Sequence, residues 1–355
     1  MLKKEFWLIS AVLFFLISII FPPKIIQKNL LQQWSKHDKD VEIVVNKKIA
    51  DPFWVIDDYS QKDHMRKRTF RLTPILIGNL FDLSYKKLFF LQFLSFFLFI
   101  YLLLKITFSV FQNQLFTILG TCSLLFSYVG LSFNFDTLFF DSFGYLFLLL
   151  GFYFRKTPWT ILFLLLAFFV DERTYLGSIP IVIVDYLEEK SITKVSVYLF
   201  ISILLAIAIR YSLTYFLNMS IPKPILLEAL MHHQIKTIFA LFFSFKILNF
   251  LFFPLGYFKK IYQQYPFELI GIYAFLSLLI IQSVSVEDMT RSFAYGFLIF
   301  IPIFKVLKEI FSTDKLKIIL LALAVGNIMA ENYTFLAEFY KIEAFPYLYL
   351  LDGRV

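Results

Sequence analysis

The chain of 355 residues is 59% hydrophobic and only 17% charged, with a formal net charge of +8 and a mean hydropathy of +0.73. Soluble domains run nearer half apolar and about a quarter charged, so the composition excludes an ordinary soluble globule and points to a polytopic membrane protein. Lys and Arg gather at the ends of apolar runs, where they set orientation, and give no reason to expect nucleic acid as a partner. The 48 Phe read as lipid-facing and core filler, and the one Cys, Cys122, lies inside an apolar run. A lone cysteine excludes a disulfide within this sequence and a cysteine-based metal site.

Apolar runs of roughly 17–25 residues, the length that crosses a bilayer, recur along the chain. Met1-Leu2-Lys3-Lys4-Glu5 followed by Phe6 to Phe21 has the look of a signal peptide, but Pro22-Pro23-Lys24 stands where a small-residue cleavage site would be. The reading is therefore an uncleaved first span at about 6–22. A long loop, 23–86, follows. In it Ile25-Ile26, Leu30-Leu31 and Trp34 repeat at helical spacing, which predicts an amphipathic helix suited to the interface. Val41 to Val45 reads as a short extended piece, and Pro74 to Leu83 as a second amphipathic helix with Pro74 in its first turn.

Further spans are expected at about 87–108, 115–133 and 137–154. Two shorter pieces, 158–170 and 174–187, flank Asp171-Glu172-Arg173; they are either short tilted spans or a re-entrant pair. Spans at about 194–217, 236–258, 267–286, 292–311 and 316–333 complete the set, before an outer tail, 334–355. The expected fold is all-α: a polytopic transmembrane helical bundle of about 11 spans, one integral-membrane domain over 1–355 with spans 2–11 in 87–333. Its long first extracytoplasmic loop carries the amphipathic helices.

With a cytoplasmic N-terminus, alternation puts Lys105, Arg155-Lys156, Lys190, Lys194, Lys259-Lys260, Lys305, Lys308, Lys315 and Lys317 inside. This obeys the positive-inside rule for short loops. The same alternation puts every acidic turn outside: the 57–71 stretch, Asp136 and Asp141, Asp171-Glu172-Arg173, and Glu287-Asp288 with Arg291. On a continuous helix Asp136 and Asp141 project about 140° apart, unless the turn at 134–136 redirects Asp136.

Asp57-Asp58 is either a solvated loop pair or a general base or cation ligand at a dry interface. Asp141 inside a span costs about 2.5–3.5 kcal/mol on the insertion scale, so an ion pair or a function must offset it. Asp171-Glu172-Arg173 lacks ordinary turn residues, which leaves an internally paired turn or a site. Arg291 beside Asp288 is a local pair or a fork aimed at phosphate. His64 and the adjacent His232-His233 lack metal-ligand spacing. Arg210 and Lys246, inside spans, are expected to snorkel or pair. No Gly-rich phosphate loop, zinc pattern, nucleophile elbow or DNA-binding motif is present.

An acidic pair in a long first outer loop, Asp57-Asp58, a basic residue ahead of proline in Arg71-Leu72-Thr73-Pro74, the Asp141 region and the two turns Asp171-Glu172-Arg173 and Asp288-Met289-Thr290-Arg291 resemble the layout of the GT-C class of integral-membrane glycosyltransferases and related bacterial multispan proteins. The chain departs from that class in being short and in lacking a C-terminal soluble domain. The resemblance implies a polyprenyl-phosphate-linked sugar donor taken from the membrane lipid side, with inversion at the anomeric carbon. Asp57 or Asp58 would be the catalytic base, and Arg68, Arg71, Asp136, Asp141, Asp171, Glu172, Arg173, Asp288 and Arg291 the substrate-binding set. It implies no metal ligand set and no fixed cofactor, with a divalent cation left open. The implied place is the bacterial inner (cytoplasmic) membrane, N-terminus cytoplasmic and C-terminus extracytoplasmic. The alternatives are a transporter or flippase of lipid-linked sugars, and a non-catalytic membrane subunit of an envelope complex.

Overall fold

A computed structural model describes residues 3–30, 36–55, 68–136, 140–190, 193–217, 234–252, 258–284, 289–336 and 338–342. Helix α1, Lys3–Ile20, stops ahead of Pro22-Pro23, which have no N–H to continue it. Helices α2, Lys24–Leu30, and α3, Lys36–Ala50, follow. The Val41–Val45 stretch is thus helical, not extended. Val41, Val45 and Ile49, four apart, are all buried and pack in one cluster with Ile75, Tyr85 and Leu88. A 3₁₀ turn, Arg68–Phe70, leads into α4, Leu72–Leu80, close to the second amphipathic helix expected there.

The bundle is built on α5, Tyr85–Phe111, which ends with Gln112 in the left-handed region. Phe96, Phe99, Ile100 and Leu103 on this helix are buried in the main core. Phe96 stacks on Phe133 at 5.0 Å and Phe99 meets Phe297 at 5.8 Å. Helix α6, Gln114–Leu125, starts where Asn113 Oδ1 accepts the Phe116 N–H at 3.1 Å. Helix α7, Tyr128–Phe135, continues it at a bend of 58°. The bend brings the Leu125 carbonyl against Gly130: a Cβ there would lie 2.1 Å from its oxygen.

Helices α8, Asp141–Tyr153, and α9, Trp159–Phe168, form a close hairpin. A single turn α10, Thr174–Gly177, passes into α11, Ile179–Glu189. Helix α12, Lys194–Phe216, keeps most of its surface exposed. Helix α13, Gln234–Phe245, breaks at Lys246, which has φ 52°, and resumes as a 3₁₀ segment, Lys246–Phe252. Then come α14, Phe258–Gln264, α15, Pro266–Val284, α16, Met289–Ala294, a 3₁₀ turn Phe297–Ile299, α17, Phe300–Ile310, and α18, Thr313–Met329.

Four helical runs are long and apolar enough to cross a membrane: Lys4–Ile26, Tyr85–Phe111, Lys194–Phe216 and Pro266–Ser283. Counting the bent α6–α7 pair as one span makes five. Among the described residues this is compatible with a membrane protein and corrects the expectation of about 11 spans. The apolar stretches at Asp141–Tyr153, Trp159–Phe168 and Ile238–Phe252 are helices of only 10–17 residues. Asp141 starts the first of these stretches, Asp171 follows the second, and Lys246 breaks the third. The chain is mostly helical, as expected; among the described residues one small hairpin is added, in which β1, Asn332–Leu336, pairs antiparallel with β2, Glu338–Ile342, with Thr334 opposite Tyr340.

The break at Lys246 is closed by two side chains, those of Asn327 and Lys246. Asn327 of α18 accepts the Ile247 N–H through Oδ1 at 2.9 Å and donates through Nδ2 to the Ser123 carbonyl at 2.6 Å. Lys246 Nζ donates to the Asn327 carbonyl at 2.8 Å, one of the carbonyls the end of α18 leaves open. Lys246 is 1% exposed. It therefore does not snorkel, and among the described residues no carboxylate pairs with it.

The bundle has two chemically distinct ends. Helix α8 is headed by Asp141 and runs 13 residues to Tyr153, about 20 Å. At the Tyr153 end Lys105 Nζ donates to the Tyr153 hydroxyl at 2.7 Å, and Lys308 Nζ donates to the Val110 carbonyl at 2.7 Å. Arg155 binds Glu188 at 2.8 Å, Lys156 binds Glu189 at 2.9 Å, and Lys190 binds Glu268. The basic residues of four sequence-distant segments thus form one belt.

Two measurements check this architecture. Gly130→Ala, by forcing a methyl against the Leu125 carbonyl, should cost about 1–3 kcal/mol of stability, read as a lowered thermal unfolding midpoint in detergent. Lys48 on α3 is 2% exposed and donates to the carbonyls of Pro52 at 2.6 Å and Trp54 at 2.9 Å. Burial pushes its ammonium down to about 8 from the ordinary 10.5, against the attraction of Asp51. The folded protein then holds this proton less tightly than the unfolded chain. Its stability should rise between about pH 8 and 10.5, and Lys48→Met should flatten that rise in pH-dependent unfolding curves.

Candidate functional site

The site is assembled at the end of the bundle opposite the basic belt. Asp141 is the first residue of α8, where a carboxylate is favoured by the free N–H groups and the helix dipole. Phe140 before it has φ 57°, and Asp136, the residue capping α7, turns back so that its Oδ2 accepts the Asp141 N–H at 2.8 Å. The α7–α8 turn therefore does redirect Asp136, onto the backbone of Asp141. Gln92 of α5 fixes the same turn by donating to the Asp136 carbonyl at 2.9 Å.

Asp171 follows α9. Its two oxygens take a fork from Arg173: Nε to Oδ1 at 2.7 Å and Nη2 to Oδ2 at 2.8 Å. The Arg173 N–H adds a third bond to Oδ1 at 3.0 Å. Arg173 Nη1 donates to Ser292 Oγ on α16 at 2.8 Å, and its guanidinium lies 5.3 Å from the Tyr295 ring centre. Arg291, one residue from Ser292, donates through Nε to Asp141 Oδ2 and lies 3.9 Å from Asp171.

Arg71 arrives from the long loop. Thr73 sets its position, because the Thr73 N–H donates to the Phe169 carbonyl at 3.1 Å and its hydroxyl to the Leu166 carbonyl at 2.7 Å. These are carbonyls that the end of α9 leaves open. Arg71 Nη2 then stands 2.5 Å from Asp171 Oδ2, and Nη1 stands 3.8 Å from Asp141 Oδ1.

Three guanidiniums thus enclose two carboxylates. The side chains of Asp141 and Asp171 are 1% and 0% exposed, those of Arg291 and Arg173 are 4% and 7%, and that of Arg71 is 15%. The cluster opens to its surroundings at Arg71. Burial opposes ionisation of Asp171, yet Arg173, Arg71 and Arg291 outweigh it and hold the carboxyl well below the usual carboxylate range. Asp171 is a fixed anion that orients guanidiniums and cannot take a proton near neutral pH. Tyr145 and Tyr295 lie wholly buried beside the cluster, rings 4.8 Å apart, and neither hydroxyl has a hydrogen-bond partner among the described residues. The approach is tight, since a Cβ on Gly177 would lie 2.6 Å from the Tyr295 carbonyl oxygen.

The structure brings together Arg71, Asp136, Asp141, Asp171, Arg173 and Arg291. Glu172 is elsewhere: it faces Arg210 at 3.7 Å. Arg210 in turn donates to the Phe168 carbonyl at 3.0 Å and lies over the rings of Phe70, Phe169 and Tyr175. Asp57, Asp58 and Asp288 lie outside the described residues, as do His64 and His232-His233, and Arg68 is described only in its backbone. Ser292, Thr73, Tyr145 and Tyr295 were not among the expected residues. Ser292 stands next to Arg291, which is the signal that could have found it; the tyrosines carry none in a chain with 20 of them. Among the described residues no three His, Cys, Asp or Glu side chains come together to hold a metal ion, and Asp141 and Asp171 are committed to arginines.

Comparison with protein-family models, with curated proteins and with solved structures returns no match. The chemistry of the cluster therefore has to be read from its own geometry.

A buried carboxylate between guanidiniums and an exposed one facing a single arginine differ sharply in what they hold up. Asp171→Asn should cost about 3–5 kcal/mol, because it strands buried positive charge. Glu172→Gln should cost less than about 1 kcal/mol. Thermal unfolding of both variants in one detergent checks the ranking.

Proposed function

We propose that the chain is a membrane glycosyltransferase of the GT-C type, which moves a sugar from a polyprenyl-phosphate donor to an acceptor hydroxyl. One observation carries this reading: Arg71, Arg173 and Arg291 converge from three distant parts of the sequence, and the most exposed of them belongs to the long loop. Guanidinium forks match phosphate oxygens, and a phosphate leaving from a sugar develops the charge that such forks stabilise.

In this scheme the acceptor oxygen attacks the anomeric carbon while the bond from that carbon to the donor phosphate oxygen breaks. The hydroxyl proton passes to a carboxylate and the lipid phosphate departs with both electrons. Asp171 cannot serve as that base, since its arginines lower its affinity for a proton too far for it to accept one, and Asp141 is held by Arg291. The base is then Asp57 or Asp58, fourteen or thirteen residues before Arg71 in the same loop. Arg71 meets the phosphate, while Asp141 and Asp171 keep Arg291 and Arg173 in place. The cluster end faces outward from a bacterial inner membrane, and the basic belt faces the cytoplasm, in keeping with the positive-inside rule.

A second reading, movement of a lipid-linked sugar across the bilayer, draws on the two broken helices, at the α6–α7 bend and at Lys246. The two readings part in one experiment. Purified protein in liposomes is given a panel of radiolabelled polyprenyl-phosphate sugars and candidate acceptors. Transfer with release of polyprenyl phosphate supports the enzyme, and Asp57→Asn or Asp58→Asn should abolish it while expression is kept. Arg71→Ala should lower kcat/KM by about tenfold or more. Lipid that changes leaflet without being consumed, or full activity in both Asp variants, overturns the scheme.

A further inference from the structure

At the opposite end of the bundle a cleft of about 270 Å³ opens between the ends of α5, α8, α11 and α17. Its polar wall includes Ser109, Arg155, Glu188, Lys305 and Lys308, and its floor is apolar, with Phe152 beneath the Arg155 guanidinium at 4.7 Å. We propose that this cleft binds the phosphodiester headgroup of an anionic membrane lipid.

Most of the charge in the cleft is already engaged. Arg155 holds Glu188 at 2.8 Å, Glu309 accepts from the Tyr265 hydroxyl, and Lys308 caps the Val110 carbonyl at 2.7 Å. Lys305 is different. It is half-buried in the wall, and among the described residues no hydrogen bond or ion pair within 4.0 Å engages it; it attracts Glu188 only through space. The Nε of Arg155 is buried with no hydrogen-bond partner among the described residues. Three cations, Arg155, Lys305 and Lys308, stand against two carboxylates, Glu188 and Glu309, so the lining carries one surplus positive charge. A phosphodiester carries one negative charge, which cancels it.

The location selects a lipid over a soluble anion. The cleft sits in the basic belt at one end of an apolar bundle, where headgroups lie, and basic pockets between helices at the cytoplasmic face suit anionic headgroups. The apolar floor at Phe152 and Val184 takes the glycerol and the start of the acyl chains, which a free phosphate lacks.

The test uses the full chain purified in a neutral detergent. Binding is followed by native mass spectrometry and by the thermal unfolding midpoint, with added dioleoylphosphatidylglycerol, dioleoylphosphatidylcholine or sodium phosphate. Phosphatidylglycerol alone should bind and raise the midpoint. Lys305→Ala should weaken its binding about tenfold, the loss of one charge-assisted hydrogen bond, and Lys305→Arg should restore it. In the unmodified protein high salt should abolish the effect by screening, a readout that does not depend on any variant folding. Equal effects of the two lipids, the same rise with sodium phosphate, unchanged binding in Lys305→Ala, or persistence at high salt would each overturn the proposal.

Discussion

Two carboxylates, Asp141 and Asp171, are all but inaccessible to solvent, and guanidiniums take the place of their water. An isolated carboxylate in such surroundings would cost many kcal/mol and would take up a proton instead. Each arginine is equally expensive alone. The cluster is therefore all or nothing, and it dictates where five segments must sit: the start of α4, the start of α8, the end of α9, the turn into α10, and α16. Thr73 shows how little freedom remains. It uses the open carbonyls of α9 to dock the loop, so the helix end that Asp171 follows is also the ledge that seats Arg71.

The same economy of open backbone groups runs through the fold. Helices too short to cross a membrane expose N–H and C=O groups inside an apolar bundle, where water cannot serve them. Asn327 and Lys246 close one such break, while Asp136 and Gln92 close another. Polar residues at these places are fasteners for interrupted helices. This is why the polar content of the apolar stretches and the shortness of the helices go together.

Much of the cluster was legible in the sequence, because charge inside an apolar stretch has few physical excuses. Asp141, Asp171 and Arg173 stood out on that ground, Arg291 as a fork in a polar turn, and loop alternation put them at one end. Glu172 was drawn in by its neighbours, but successive residues in a turn point in different directions, and it faces Arg210 instead. The span number was misread for a related reason. Hydropathy counts apolar residues in a run, and says nothing of a 58° bend between Leu125 and Tyr128 or a left-handed residue at Lys246. Val41 to Val45 looked extended because β-branched residues cluster there, yet the four-residue spacing of Val41, Val45 and Ile49 won through packing on Ile75. The hairpin at 332–342 carried no signal, since Asn332 to Ile342 has neither a glycine turn nor clean alternation.

The 150 residues between Asp141 and Arg291 also set an order of assembly. During synthesis the start of α8 emerges on the order of ten seconds before its arginine on α16 exists, at ordinary elongation rates. Arg71 is already made by then, and Arg173 follows 32 residues after Asp141. The first half of the chain therefore carries two cations for its two acids before Arg291 is made, and in the folded protein all three arginines share them.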